Sequence, residues 1–501
     1  MRRVITRRDL LRFAAAAAAW PGLAGAQAGK AKAPPPGVPV NDLHSQLNST
    51  RVFRIDAPQD VAAVRTLVAE ARKDARPLCI SGARHAMGGQ QFCADALMLD
   101  MRKMNRVLSF DRERGLIEVE AGIQWPELLS HLVLAQRGAA MPWAFAQKQT
   151  GADRLTLGGA LAANIHGRGL AMPPFVHDVE SFRLVTARGN VVNCSRSDNA
   201  ELFRLAIGGY GLFGVVTSLT LRLVPRRKLE RVVEVRDVDG LPGAFAERIR
   251  EGHLYGDFQY AIDENSGDFL RRGVFCTYRP VEDERPVPAV RNELTERDLV
   301  ELLFLAHTDK FEAFRRYAAH YQSTDGQLYW SDEQQMGPYP EDYHRTLDRR
   351  LSAPARGSET ITEIYCERDA LEPFMAEARA TARRDGMNII YGTVRLVEED
   401  RESFLAWARK PYACVVFNLH IEHTTRGMIR AGDALRRLVD VGLRHGGGYY
   451  LTYNRYALER QVRASFPQLP EFLKLKRKYD PQELFQSEWY RHYKRMFFPE
   501  R

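Results

Sequence analysis

Two glycine loops in this chain each carry a histidine. In "LCISGARHAMGGQQF" (78–92) a short apolar run breaks at Gly82, and Arg84 and His85 precede Gly88 and Gly89. A glycine turn after a strand presents backbone N–H groups to a phosphate. That task needs no histidine, so His85 either touches the ligand or is incidental. The second loop, "TLGGALAANIHGRG", sets Thr156, Gly158 and Gly159 before small residues and ends in His166-Gly167. Paired glycines followed by alanines let a flat ring or a pyrophosphate lie against backbone, although they also suit tight helix–sheet packing. A third cluster places Gly208, Gly209, Gly211 and Gly214 at the start of the apolar run "VVTSLTLRLVP". Three such clusters can line one long groove. No G-x-G-x-x-G follows a strand and opens a helix, and no Walker lysine is present, which disfavours a nicotinamide-binding Rossmann unit and a P-loop.

These loops sit in a chain of 501 residues, long enough for two or three domains. The formal charge of +9 is partly local. Five arginines against Asp9 in residues 1–28 supply +4 of it, and the remaining +5 is scattered in mixed-sign clusters such as "EEDRE" and "KLKRK". That is a solvated surface, not a phosphate track, so no nucleic-acid partner is expected. None of the six cysteines forms a close pair or a C-x-x-C, so no metal site is expected from them; disulfides stay open. The leader "MRRVITRRDLLRFAAAAAAWPGLAGAQA" has a basic start, an apolar middle and an Ala26-Gln27-Ala28 end. Adjacent Arg7 and Arg8 fit the pattern of a twin-arginine signal peptide over 1–28, so export to the periplasm or out of the cell is expected. A proline-rich linker follows over 29–44. No internal apolar run is long enough to span a membrane.

From Arg51 onwards the elements that must hold the loops come into view. "DVAAVRTLVAEARKDAR" has helical spacing, "PLCISG" reads as a buried strand, and "LIEVEAGIQWPELLSHLVLAQ" as strand, Gly122 turn and helix. The alternation continues to Pro225. Beyond it, "FQYAIDENSGDFLRRGVFCTYRP" reads as a hairpin, "TITEIYCERDALEPFMAEARATARRDG" as a strand feeding a helix, and "NIIYGTVRLV" and "ACVVFNLHIEH" as strands. Period-2 alternation sets Glu363 and Tyr365 on one face and Ile364 on the other.

The order "SGARHAMGG", "VEAGIQWPEL", "TLGGALAANIHG", "ELFRLAIGGYGLFGVVTSLTLRLVP" resembles the FAD-binding domain of the vanillyl-alcohol-oxidase superfamily, also called the PCMH type. Among its members the alditol and aldonolactone oxidases and the decaprenylphosphoryl-ribose oxidases are most similar. The resemblance implies an α+β fold in two parts: an FAD domain over 45–225, and a substrate domain over 226–450 with an antiparallel sheet flanked by helices. A tail over 451–501 would return to the FAD domain. It also implies a histidine in the first glycine loop bonded covalently to the flavin, the place of His85; decaprenylphosphoryl-ribose oxidases lack that histidine. Ser81, Gly82, Ala83, Arg84 and Ala86 would then hold the pyrophosphate with Gly122 nearby. Gly151, Thr156, Gly158 and Gly159 would face adenosine and pyrophosphate, Asn164, His166 and Tyr450 would approach the flavin, and Val215 would close the adenine side by backbone contacts. For chemistry, Glu363, His420 and Tyr453 are the base candidates, with Arg395, Asn418 and His166 as further polar groups. Where the decaprenylphosphoryl-ribose enzymes have a lysine, "GYYLTYNRY" offers Tyr453, so their substrate does not carry over. The implied activity is oxidation of a CH–OH group on a sugar, polyol or lactone by hydride transfer to FAD, with oxygen or a quinone as acceptor. An amine or phenol substrate, or flavin binding without turnover, stays open on the same scaffold.

Overall fold

A computed structural model of the chain describes residues 37–282, 284–337 and 339–499. The leader over 1–28, and the linker as far as residue 36, lie outside the described residues. The architecture is α+β, as expected, and its β-structure is gathered mainly in three sheets.

The first is a small parallel sheet in the order Arg54–Asp56, Leu97–Asp100, Leu78–Ser81. The helix Val61–Lys73 makes the crossover. Asp60 caps it by accepting from the Ala63 N–H, and Val64, Val68 and Ala71 form its buried stripe. The first glycine loop leaves the end of Leu78–Ser81. The second sheet is antiparallel, in the order Val191–Ser195, Val179–Val185, Val215–Pro225, Leu116–Glu120, Val107–Asp111. The helix Leu157–Ala163, which carries Gly158 and Gly159, begins at Thr156, whose side chain accepts from Gly159 N–H.

The chain passes from Pro225 to Lys228 into a seven-stranded antiparallel sheet. Its last three strands are Ile389–Val397, Tyr412–Glu422 and Gly357–Glu367. Helices Leu371–Asp385 and Thr425–Arg444 pack beside the Gly357–Glu367 strand; Ile364 lies against Gly442 of the second helix. Glu363 therefore points away from that helix, as alternation requires.

The tail folds back. Leu78 N–H donates to Leu484 O at 2.8 Å and Gln486 N–H to Leu78 O at 2.9 Å, so Leu484–Gln486 extends the parallel sheet. Phe485 is buried with Leu78, Val64 and Leu99, and Trp489 packs on Tyr210 with ring centroids 4.7 Å apart. All six cysteines are buried and free. Among the described residues, no helix is long and apolar enough to cross a membrane.

Candidate functional site

The first glycine loop and the second are pressed together. A Cβ at Gly82 would collide with the Thr156 hydroxyl, so only glycine lets the loop lie against the N-terminal end of the Leu157–Ala163 helix. Two residues on, Arg84 holds a left-handed φ of 60°, a conformation that costs a non-glycine residue energy and often accompanies a ligand-shaped loop. Between the three sheets runs a cleft enclosing about 1550 Å³, its open mouth included. Its wall runs from the glycine loops to Glu363, Arg395 and Tyr453, so one elongated ligand can touch both ends.

One stretch of the wall is glycine and backbone: Ser81–Met87, Gly151, Thr156, Gly158, Gly159, Gly211 and Gly214. The Ser81 hydroxyl is buried there with no partner, and an unpaired buried hydroxyl is what a ligand oxygen would satisfy. The residues present thus fit a pyrophosphate held on backbone next to a flat ring system. His85 also lines the cleft. Its Nδ1 lies 2.9 Å from His44 Nε2, and Tyr339 sits edge-on to both rings. Burial lowers the His85 pKa to about 4, so the ring is neutral near pH 7.

The polar end of the cleft is built on Glu363. Its Oε2 is 2.7 Å from His166 Nε2, 3.3 Å from Cys414 Sγ and 3.5 Å from the Tyr365 hydroxyl, and its Oε1 accepts from the Tyr453 hydroxyl at 2.5 Å. Burial alone would raise this carboxyl, but the His166 ring, Arg395 and the Tyr453 hydroxyl outweigh it and hold it down to about 2. Burial beside that carboxylate raises the Tyr453 hydroxyl and the Cys414 thiol well above their ordinary values. Two atoms in this cluster are buried without a partner: His166 Nδ1 and Arg395 Nε. Tyr453 arrives because Ile364 bridges to Tyr449 and Tyr450 N–H donates to Glu363 O at 3.1 Å, which lays the returning segment beside the strand. Tyr450 closes the same wall, its hydroxyl donating to Ala163 O at 2.6 Å.

The structure thus brings together Ser81, Gly82, Ala83, Arg84, His85, Ala86, Gly151, Thr156, Gly158, Gly159, His166, Glu363, Arg395, Tyr450 and Tyr453. Five expected residues fall elsewhere. Gly122 is not in the wall: a Cβ there would strike Met101 O, so this glycine serves backbone packing. Asn164 ends its helix at φ 49° and turns its amide inward, donating to Asp400 and accepting from Val176 N–H, 2.8 Å each. Val215 turns its side chain into the core against Val64 and Leu99, while Gly214 and Val216, on either side of its backbone, line the cleft. Asn418 lies outside the wall, although cross-strand to Ile361, which is in it. His420 also lies outside, 3.2 Å from Glu359 in a separate cluster. Cys414, buried in its strand, also contacts Glu363. Sequence reasoning missed His44, which was read as linker, and Gln90, whose amide ties the first loop to Thr452 O at 2.7 Å. His44 lies in no motif and Gln90 stands just past the glycines of the first loop; only the fold brings them to the site.

Residues 54–195 match a family model described as an FAD binding domain. Over that region the chain is similar to FAD-binding domains. Its similarity extends to L-gulonolactone oxidase of Bos taurus, 34% identical over 174 residues, covering 34% of this chain and 38% of that protein. L-gulono-1,4-lactone dehydrogenase of Mycobacterium tuberculosis is 31% identical over 194 residues, covering 36% and 43%. Cytokinin dehydrogenase 3 of Oryza sativa is 30% identical over 180 residues, covering 34% and 32%. The chain spans less than half the length of these relatives. The match ends well before Glu363, Arg395 and Tyr453 and includes only His166 of the polar end.

Proposed function

We propose that this protein is an FAD-dependent oxidoreductase that oxidises a CH–OH group of a sugar, polyol or sugar lactone. The lactone oxidases and dehydrogenases among its relatives support the class. The observation that carries it is the His166–Glu363 pair at the closed end of the glycine-walled cleft, with His166 Nδ1 unpartnered. FAD, when bound, supplies the two-electron acceptor for the hydride that leaves the substrate carbon. The protein's part is the hydroxyl proton. A carboxylate held near pKa 2 is a poor base, whereas an imidazole fixed through Nε2 by that carboxylate offers Nδ1 as the acceptor. Glu363 then orients His166 and stabilises the imidazolium. Arg395, with Nε free, suits a substrate oxygen better than an apolar ring. Of the original base candidates, His420 is too far displaced and Tyr453 too firmly protonated.

His85 is proposed as the covalent anchor of the flavin. Its neutral ring, held at Nδ1 by His44, suits a nucleophile, and a tether would prevent loss of the cofactor and raise its potential. Ile165, buried in the cleft wall beside His166, is proposed to slow the approach of oxygen and favour a quinone or dye as acceptor; fast stopped-flow reoxidation by air would reverse that assignment. Export by the twin-arginine route, carrying the protein out already folded with its cofactor, is proposed from Arg7-Arg8. Replacing both by lysine should leave precursor in the cytoplasm, and unchanged export would reject the route.

The deciding experiment is a substrate panel of sugars, aldonolactones, amines and phenols, read by flavin bleaching under anaerobic conditions. Reduction by a hydroxylated sugar or lactone alone is expected. Reduction only by amines or phenols, or by nothing, would overturn the reading.

A further inference from the structure

Glu359 stands four residues before Glu363 on the same face of its strand, at the centre of a second buried cluster. Its Oε1 is 3.2 Å from His307 Nε2 and 3.2 Å from His420 Nδ1. Its Oε2 accepts from the Tyr343 hydroxyl at 2.7 Å, and His344 Nδ1 lies 2.6 Å from the same oxygen. The groups come from four elements: the helices Glu296–Thr308 and Tyr343–Arg350, and the strands Gly357–Glu367 and Tyr412–Glu422. The proposed reaction uses none of them.

The cluster is hydrogen-bonded as it stands, and two features also fit it to an ion. The first is spacing. Ligand atoms at ~2.0–2.1 Å from a tetrahedral zinc lie ~3.3 Å from one another, whereas a charge-assisted N–H···O bond is ~2.7–2.9 Å long. The contacts of His307 and His420 with Oε1 match the tetrahedral edge. The His166–Glu363 contact, 2.7 Å, matches the hydrogen bond, so the cluster in the cleft is a proton network by the same measure. The two rings also stand perpendicular, their centroids 4.7 Å apart, and neither stacks on the other.

The second feature is His344. It is 3% exposed, and neither ring nitrogen has a hydrogen-bond partner. Its Nδ1 nevertheless meets Oε2 at an ion-pair distance and helps hold that carboxylate ionised, so Nε2 is the nitrogen left with no contact. A buried imidazole nitrogen left unsatisfied is costly unless something absent from the protein chain satisfies it.

We propose that His307, Glu359 and His420 bind a divalent first-row transition ion, zinc being the one that suits two imidazoles and a carboxylate with an open position, while His344 supports the carboxylate through Oε2. Imidazole donors disfavour magnesium and calcium, which take oxygen ligands. The Tyr343 hydroxyl fixes the carboxylate through Oε2 and leaves Oε1 for the ion, the outer support a metal carboxylate usually has. The ion would brace the helix of His307 against the sheet directly, and the helix of His344 through the carboxylate. Between those elements Tyr339 reaches His44 and His85, so the brace would also steady the wall beside the flavin anchor.

The test is metal analysis of the full-length flavoprotein after dialysis, a titration with Zn2+ alone, and X-ray absorption at the zinc edge. Expected are about one retained ion per chain, a nitrogen and oxygen shell with imidazole scattering, and a fall in melting temperature on chelation. Glu359→Gln and His307→Ala should weaken Zn2+ binding at least about tenfold, while His177→Ala, at an exposed position, should not. Equal and weak Zn2+ binding by wild type and Glu359→Gln would overturn the site. If the variants fail to fold, the wild-type absorption spectrum decides, and a shell without imidazole overturns it. Flavin content is measured in parallel, so a failed FAD assignment is told apart from a failed metal site.

Discussion

At Glu363, burial and ion pairing pull in opposite directions, and pairing prevails. Glu363→Gln keeps the volume but removes the charge that fixes His166. Turnover should fall about 10²–10⁴-fold, with flavin content unchanged; a variant with wild-type kcat would remove this pair from the chemistry. The same carboxylate gives a pH signature. Its folded pKa, about 2, lies below the unfolded value of 4.5, so its stabilising contribution is complete above about pH 4.5 and is lost as pH falls towards 2. The melting temperature of wild type minus that of Glu363→Gln should therefore be flat at neutral pH and decline through that window; a flat difference down to pH 2 would contradict it. At His85, wild-type protein should stay yellow after acid precipitation and His85→Ala should release its flavin. Full release from wild type would end the covalent assignment. Alternation fixed only the face of Glu363, and the glycine loop left His85 open between ligand contact and accident; the role expected of each came from the family resemblance. The pairing of Glu363 with His166 was not legible in the sequence, because 197 residues separate them and neither sits in a motif naming the other.

At the scale of elements, periodicity and glycine punctuation located the helix 61–73, the strand 78–81, the hairpin 255–280 and the strands 389–397 and 412–422 with little error. What they could not show was which strands adjoin, since pairing across a sheet leaves no mark in local sequence. Asn418 and His420 illustrate the gap. Alternation placed both on the face that carries Cys414, but how far along the strand the cleft extends depends on what packs over it. Helices Glu296–Thr308 and Tyr343–Arg350 claim the His420 end. The tail was better signalled, because its aromatics needed an apolar surface to cover. Phe485→Ala should cost about 3–5 kcal/mol, the range for truncating a buried phenylalanine, read as a lower denaturation midpoint with partial flavin loss. Deletion of 479–501 should abolish flavin retention, and a truncated protein with full flavin and normal melting would show the tail to be dispensable.

At the scale of the whole molecule, the cleft has no single owner. Its glycine wall belongs to the first two sheets, its acidic end to the third, and its flank to the returning segment through Gln90 and Thr452. A ligand lying along it contacts every part, so its binding energy should be shared by the whole fold and not confined to residues 54–195. His85→Ala protein stripped of FAD makes this measurable, because binding is then reversible. Stability should rise with added FAD as RT ln(1 + [FAD]/Kd), about 2.7 kcal/mol at a hundredfold excess over Kd. The rise should move one cooperative unfolding transition. Calorimetry that instead shows two transitions, with FAD shifting only one, would mean that the FAD-binding domain holds the cofactor alone and that the seven-stranded sheet merely covers it.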